Sequence, residues 1–296
     1  FRMSLPCGGC CMAMSRLASQ LLNMVRREDS GQAGLGHDLG PRPCRSGPLP
    51  APLDGAPGHG ASKEGQAATS LFELLVREQG SLDPLSPALK EELWRRLDLI
   101  RAEDLGVRRR DLERLRGRAG IGYQEVHAGP EMTLCVFVLR AGAHIPLHDH
   151  PQMHVLGRLL FGRMRVVSFD VEPASLEGWA GSSASGAAAE APGRPSGAKW
   201  ARLTSDCVLG PAAVTYGLGP EEGNLHEIHA LEDCAFFDVV VPPYDADAGR
   251  SCTYYAPASA GAPAGRGAGS ALLVPTAPQG FCTEPLAYKG PPFPSA

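Results

Sequence analysis

Two histidines, His148 and His150, lie one residue apart near the end of a segment whose composition is typical of a β-strand. In extended backbone, residues i and i+2 project from the same face, so both imidazoles can reach one metal ion while Asp149 points away. A third imidazole follows at His226, in the run 223–226. Imidazole suits zinc, copper, iron or nickel, and three protein nitrogens leave coordination positions open for a substrate and a small molecule.

The spacing around the pair favours a metal site over the alternative, an exposed His-x-His turn that binds nothing. Gly142 precedes the pair, and a Gly-x-x-His follows at 223–226. Together these two patterns resemble the paired sequence motifs of the cupin barrels. The usual cupin pattern carries a Glu ligand five residues after the second histidine, where this chain has Val155.

The absence of that carboxylate changes the charge of the predicted site. Three neutral imidazoles leave the full charge of a divalent metal available to an anionic ligand, and a thiolate is the obvious candidate because coordination deprotonates a thiol. Asp149 and His154 are alternative protein ligands. We rank both below His226, because Asp149 has the wrong parity and His154 lies farther along the strand.

Several segments of the chain resemble the thiol dioxygenases of the cysteamine dioxygenase type, which are related to the plant cysteine oxidases. The resemblance covers most of the chain from about Ser86 onward and is absent between Glu172 and Ala198. The segments that carry it are 99–105, 145–151, 224–226, 242–245, 249–255 and 288–294.

The resemblance implies one Fe(II) per chain, held by His148, His150 and His226, with O2 as cosubstrate. Both oxygen atoms would enter the sulfur of the substrate and give a sulfinic acid, which is irreversible for most proteins. The substrates implied are cysteamine and polypeptides that begin with Cys. Oxidation of the latter marks them for degradation through the Cys N-degron pathway, so the family likeness implies an oxygen-sensing enzyme active in hypoxia responses.

Four further residues match positions near the metal in this family. Asp238 and Tyr244 match polar residues close to the metal, and the resemblance implies a thioether crosslink between Cys252 and Tyr254. Packing is the alternative for the last two, since Cys is among the most buried residue types. Asp238 interrupts the apolar run 236–241, so it needs a partner, such as a ligand histidine or the amino group of a substrate.

Composition bounds the remaining possibilities. The chain has 296 residues, a net charge of -4 and 43% hydrophobic residues, enough for one large domain or two small ones. We expect no transmembrane helix, because no apolar run reaches 18 residues, and no nucleic-acid partner, because a basic excess is absent. The nine cysteines lack a framework spacing, which favours reduced thiols and a cytoplasmic location. The family resemblance implies a monomer.

The N-terminal residues are expected to contribute little to a hydrophobic core. Residues 1–69 are expected to be largely disordered, because 31–65 is rich in Gly, Pro, Ala and Ser. A basic amphipathic stretch at 14–27 predicts a short surface helix, with a mitochondrial presequence as the alternative. A capping box at Ser70 and Glu73 predicts one helix, and Ser86-Pro87 predicts a second that runs past Ile100 to a stop at Gly106.

The sequence pattern of residues 70–296 predicts a mainly β domain. Thr133–Leu139 is a continuous apolar run suited to a strand buried on both faces, and 165–170 and 235–241 predict two more. Short strands separated by Gly and Pro favour a cupin-type double-stranded β-helix, or jelly-roll barrel, with N-terminal helices and a metal at its mouth. The segment 172–198 is a low-complexity insertion expected to form a long loop.

Two functions from other classes stay open at this point. One is a metal-dependent cupin that acts on a non-thiol substrate; the missing Glu ligand and the pair Cys252 and Tyr254 count against it. The other is a non-catalytic metal-binding barrel, in which the histidines are structural.

Overall fold

The computed structural model describes residues 65–172, 196–210, 215–258 and 269–294. The predicted basic helix at 14–27 and the Gly- and Pro-rich linker up to residue 64 lie outside the described residues, as does most of the predicted insertion, at 173–195. Two α-helices open the described chain, α1 at Gln66–Glu78 and α2 at Pro87–Leu97. Three short 3-10 helices accompany them, at Gln79–Ser81, Glu103–Leu105 and Arg109–Arg114.

Both helices were predicted, but the predicted start of α1 and the predicted end of α2 are wrong. Ser70 is not the N-cap of α1, which begins earlier, at Gln66. The backbone N–H of Gly65 donates to the Asp104 carboxylate at 3.2 Å, and this long-range contact cannot be read from the local sequence.

The second helix begins as predicted and ends early. Ser86 caps α2 by accepting a hydrogen bond from the backbone N–H of Leu89 at 3.2 Å. The helix ends at Leu97 rather than near Gly106. Asp104 accepts from the N–H of Arg101 at 3.0 Å and starts a separate turn, which Gly106 closes with a φ of +63°.

The described residues then form twelve strands, arranged in two six-stranded sheets. In sheet I the order is β12-β1-β2-β9-β4-β7, and in sheet II it is β10-β11-β6-β5-β8-β3. Neighbouring strands pair antiparallel, apart from the parallel pair β1 and β12. The bounds are β1 Ile121–Ala128, β2 Thr133–Leu139, β3 His144–Asp149, β4 His154–Phe161, β5 Met164–Val171, β6 Lys199–Leu209, β7 Thr215–Leu218, β8 Leu225–Ala230, β9 Cys234–Val241, β10 Tyr255–Pro257, β11 Ser270–Pro275 and β12 Glu284–Pro285.

The core has two layers, which explains why β2 and β9 are apolar on both faces, apart from Asp238 on β9. Side chains of both sheets meet between them, including Phe236. On the other face of sheet I, Phe237 packs against the buried residues of α1 and α2, such as Phe72. All eight residues of β9 are buried. The predicted two-faced burial and the cupin-type jelly-roll fold with N-terminal helices are confirmed.

Two smaller predictions have different outcomes. None of the described helices is both long and apolar enough to cross a membrane. Within the described residues Cys135, Cys234, Cys252 and Cys282 are free thiols. Cys207 is disulfide-bonded, so the expectation of wholly reduced cysteines is wrong at this residue.

Candidate metal centre

The three predicted histidines meet inside the barrel, although they come from different strands. His148 and His226 are opposite each other on the paired strands β3 and β8, and His150 directly follows β3. The pairing of β3 with β8 shifts register between Ile145 and His148, and such an irregularity re-aims the side chains beyond it. One ring nitrogen of each histidine lies within 4.8 Å of the others, and all three residues are buried.

The hydrogen bonds of two of these rings leave the same nitrogen free. Nδ1–H of His148 donates to the carbonyl oxygen of Pro146 at 2.8 Å. The Tyr244 hydroxyl donates to the carbonyl of Asp149 at 2.9 Å, so at 2.8 Å from Nδ1 of His150 it accepts that N–H. Both Nε2 lone pairs are then unprotonated and lie 3.2 Å apart. Two facing lone pairs at this distance suit a shared cation.

The third ring has a free nitrogen as well. Nδ1 of His226 is buried and has no hydrogen-bond partner among the described residues, an arrangement that costs free energy unless a metal or a water fills the position. Burial lowers the pKa of His148. It lowers the pKa values of His150 and His226 well below their usual range, and repulsion from a second imidazolium adds to this effect. The three rings are therefore neutral donors at physiological pH, and together they could bind a metal.

Asn224, next to the turn glycine of the second motif, fixes the position of His150. Its side-chain NH2 donates to the His150 carbonyl at 2.5 Å and to the Gly219 carbonyl at 3.2 Å. Its oxygen accepts from the His150 N–H at 3.3 Å. Gly223 precedes it with a φ of +62°, a conformation that suits glycine. One amide side chain thus joins the two motif segments.

Asp149 points away from the three histidines, as its parity predicted. Its carboxylate is 1% exposed and accepts from Lys199 Nζ, from the Tyr255 hydroxyl and from the Thr253 N–H, each at 2.8 Å. These bonds join three strands, β3, β6 and β10, and the loop before β10. Asp149 is therefore a structural anchor for the segment between His148 and His150.

Tyr244, Cys252 and Tyr254 form a cluster at one side of the histidines. The Cys252 thiol is hydrogen-bonded to both tyrosines, and the Tyr254 ring lies 5.8 Å from the His148 ring. Burial raises the pKa of the Cys252 thiol and raises that of Tyr254 to about 12. The structure brings Cys252 and Tyr254 into contact, while the thioether between them stays a prediction.

Asp238 has a tyrosine as its hydrogen-bond partner, and the predicted contact with the amino group of a substrate stays a prediction. Among the described residues, its carboxylate accepts from the Tyr216 hydroxyl at 2.7 Å, and it does not bond to a ligand histidine. Burial raises the pKa of Asp238 to about 7, although this hydrogen bond opposes the shift. Gly157 makes room for Tyr216: a Cβ at this glycine would lie 2.1 Å from the Tyr216 ring.

A cavity of about 210 Å³ between the two sheets links these groups. Its walls include both Tyr216 and His226, so the tyrosine that holds Asp238 faces the same space as one candidate ligand. The remaining lining combines apolar side chains, among them Trp94, Val166 and Leu218, with the polar side chains of Ser168, Asp170, Thr204, Thr215 and Glu222. The arrangement could admit a small polar substrate to the side of the metal centre.

Two residues that organise the site were not predicted from the sequence. Asn224 lies in the segment 223–226 but was assigned no role there, although its position directly after the turn glycine Gly223 could have indicated one. Tyr216 carried no local signal, because only the pairing of β4 with β7 and β9 places it beside Gly157 and Asp238.

A jelly-roll barrel with three buried, neutral histidines at one centre defines a cupin with a candidate metal site. The family model PCO_ADO matches residues 96–293, more than half of the chain. The chain belongs to the PCO_ADO family.

The curated relatives carry matching names. Plant cysteine oxidase 2 of Arabidopsis thaliana is 34% identical over 164 residues, which are 54% of this chain and 54% of that protein. The 2-aminoethanethiol dioxygenase of Homo sapiens is 32% identical over 190 residues, 58% of this chain and 67% of that protein. The chain thus spans between about half and two thirds of the length of these relatives.

Solved structures add little beyond these relatives. The structure of KdgF from Halomonas sp. is 16% identical, with 45% of this chain and 88% of that chain covered, at a TM-score of 0.29. The fold assignment therefore rests on the strand topology described above.

Proposed function

We propose that this protein is an Fe(II)-dependent thiol dioxygenase that adds both atoms of O2 to the sulfur of a small thiol or of an N-terminal cysteine. The observation that carries the proposal is the centre of three buried neutral imidazoles with no carboxylate among them. Membership of the PCO_ADO family and the names of the relatives support it.

The donor set suits a ferrous ion and an anionic sulfur ligand. Imidazole accepts iron among several metals, and three neutral donors leave the charge of a divalent ion uncompensated. When bound to His148, His150 and His226, the iron would supply the redox chemistry and a site that keeps the substrate thiol deprotonated. The protein then has to hold the ligand rings, orient the substrate and limit the access of water.

The first task falls to residues that contact the ligand rings. Pro146 and Tyr244 hold the Nδ1–H groups of His148 and His150, which fixes the tautomer and directs each Nε2 toward the centre. Asn224 holds the backbone of His150. Pro146 lies on β3 and Asn224 directly precedes β8, so two of these three partners are positioned by the sheet itself.

The second task, orienting the substrate, suits Asp238. Cysteamine and an N-terminal cysteine share one unit, a thiol and an ammonium group separated by two carbons. A buried carboxylate with a raised pKa is stabilised in its charged form by a nearby cation, so the substrate ammonium would complete the partnership that Tyr216 begins. We propose that Asp238 binds this ammonium, and that Cys252 and Tyr254 border the thiol side. A thioether between them would replace the S–H bond of Cys252 and one ring C–H bond of Tyr254 by an S–C bond, with O2 taking up the two electrons and two protons released.

The biological role proposed is oxygen sensing. If Cys-initiated polypeptides are the main substrates, their oxidation to sulfinic acids would commit them to degradation at a rate set by oxygen supply. Cysteamine as the main substrate would instead make the enzyme metabolic. The Arabidopsis relatives named plant cysteine oxidase favour the first role.

The test uses full-length protein loaded with Fe(II) without air and then given oxygen together with one thiol. Cysteamine, a Cys-initiated peptide and the same peptide with Ser placed before the Cys are compared by product mass. We expect the first two to gain two oxygen atoms and the third to stay unchanged. His226→Ala should abolish the gain, whereas His127→Asn, on the far side of sheet I, should retain it. No gain with any thiol, in protein shown to hold iron, would favour a cupin with a non-thiol substrate.

A further inference from the structure

The strand pair that carries the three histidines has a second group of metal-binding side chains on its opposite face. Alternate residues of a strand project to opposite sides. His226 points into the barrel, so Glu227 and His229 on β8 point outward. His144 pairs with His229 across the β3–β8 ladder and reaches the same outer face.

These three side chains converge closely. Nε2 of His144 lies 3.3 Å from one oxygen of the Glu227 carboxylate, and Nε2 of His229 lies 3.0 Å from the other. The two imidazole rings stack with centroids 4.2 Å apart and planes 12° from parallel. One ligand atom from each residue lies within 4.8 Å of the others.

The carboxylate of this group is buried and its two imidazoles are partly exposed, which suits a metal site. The Glu227 side chain is 8% exposed, while those of His144 and His229 are 32% and 23% exposed. The carboxylate is therefore held firmly, and the two imidazoles border solvent, from which an ion and a water ligand can enter. Arg165 lies opposite His229 on β5 and directs its hydrogen bonds of 2.6 and 2.9 Å to Asp206, so its interaction with Glu227 is electrostatic only.

We propose that His144, Glu227 and His229 form a second divalent-metal site on the outer face of sheet II, suited to Zn²⁺. Two imidazoles and one carboxylate are a common zinc donor set, with water as the fourth ligand of a tetrahedron. The donor set also differs from that of the inner centre, which has no carboxylate. Nitrogen and oxygen donors favour Zn²⁺ over Ca²⁺ or Mg²⁺, which prefer oxygen alone.

The position of this outer site gives it a structural consequence. His144 lies four residues before His148 on β3, and Glu227 directly follows His226 on β8. An ion bound outside would join the two strands beside their register shift between Ile145 and His148. It would stabilise the pairing that holds the inner histidines together, without contact with the substrate cavity.

Zinc titration of chelator-treated, full-length protein tests the proposal. Binding by calorimetry is compared between wild type and the variants His144→Asn, His229→Asn and Glu227→Gln, with His127→Asn as a matched surface control. We expect each of the three variants to bind one Zn²⁺ per chain fewer than wild type and the control. Glu227→Gln retains the shape of the glutamate and one of its two acceptor oxygens, and circular dichroism would separate lost binding from lost folding.

A double variant that lacks two of the inner histidines, His148→Ala with His150→Ala, distinguishes the two centres. This background should still bind one Zn²⁺ per chain, and the binding should be lost when His229→Asn is added. Zinc should also raise the unfolding midpoint of this background, but not that of the triple variant. Equal zinc stoichiometry in wild type and all three outer variants would overturn the proposal, and this result would leave the thiol dioxygenase assignment untouched.

Discussion

Replacing Asp238 by Asn should stabilise the metal-free protein at neutral pH and weaken the proposed reaction. The residue is 8% exposed, and burial raises the pKa of its carboxyl from 3.8 to about 7 despite the Tyr216 hydrogen bond. Asn keeps an oxygen for the Tyr216 hydroxyl and carries no charge. The variant therefore removes the cost of an ionised buried carboxylate while the packing stays the same.

The sign and size of the effect follow from the two pKa values. The unfolded chain releases this proton near pH 3.8 and the folded chain near 7, so the folded state binds more protons between these values. Stability is therefore lost as the pH rises through this window. The whole difference corresponds to about 4 kcal/mol, of which about 2.5 kcal/mol falls between pH 5 and 7.5.

Urea unfolding of wild type and Asp238→Asn at pH 5, 6, 7 and 7.5 measures this directly. The difference between the two proteins isolates Asp238, because the other titrating groups cancel. We expect the relative stability of the variant to rise by up to about 2.5 kcal/mol across this range. A difference that is independent of pH would refute the reasoning, since the carboxylate would then not be penalised by burial.

Three other substitutions test the packing and the support of the site. Gly157→Ala places a Cβ against the Tyr216 ring and should cost about 1–3 kcal/mol in urea unfolding; adding Tyr216→Leu should recover most of it, and equal losses in both proteins would contradict the clash. Tyr244→Phe removes the hydroxyl that accepts from His150 and should weaken metal affinity about 10–100-fold in a calorimetric titration; unchanged affinity would count against this role. Asp149→Ala leaves the buried Tyr255 hydroxyl and the half-buried Lys199 without their acceptor and should cost about 1–3 kcal/mol by thermal unfolding, whereas a loss below about 0.5 kcal/mol would show that the anchor is dispensable.

The strands were predictable because their burial is periodic or complete. The bounds of β2 match the predicted run, and β9 differs by one residue, because apolar runs bounded by polar or turn residues leave little choice of register. Helix ends were less predictable. Asp104 contacts Gly65 just before α1 and Arg101 in the turn that follows α2, and the first of these contacts joins segments that are far apart in sequence.

The site residues also divide into those that local sequence predicts and those that depend on strand pairing. His148, His150 and His226 could be selected from spacing, since strand parity alone puts the first two on one face. The partner of Asp238 could not be selected, because Tyr216 reaches it only through the pairing of three strands and the space left by Gly157. The outer group of His144, Glu227 and His229 escaped for a related reason: its members appear as a group only when β3 and β8 are placed in register.

Isotope labelling tests the central claim most directly. The iron-loaded protein is given ¹⁸O2 and a Cys-initiated peptide in unlabelled water, and the product is analysed by mass spectrometry. A thiol dioxygenase predicts a sulfinic acid that carries two ¹⁸O atoms on the N-terminal sulfur. A product with one ¹⁸O atom, or a disulfide with none, would contradict the claim that both oxygen atoms of O2 enter the thiol at this centre.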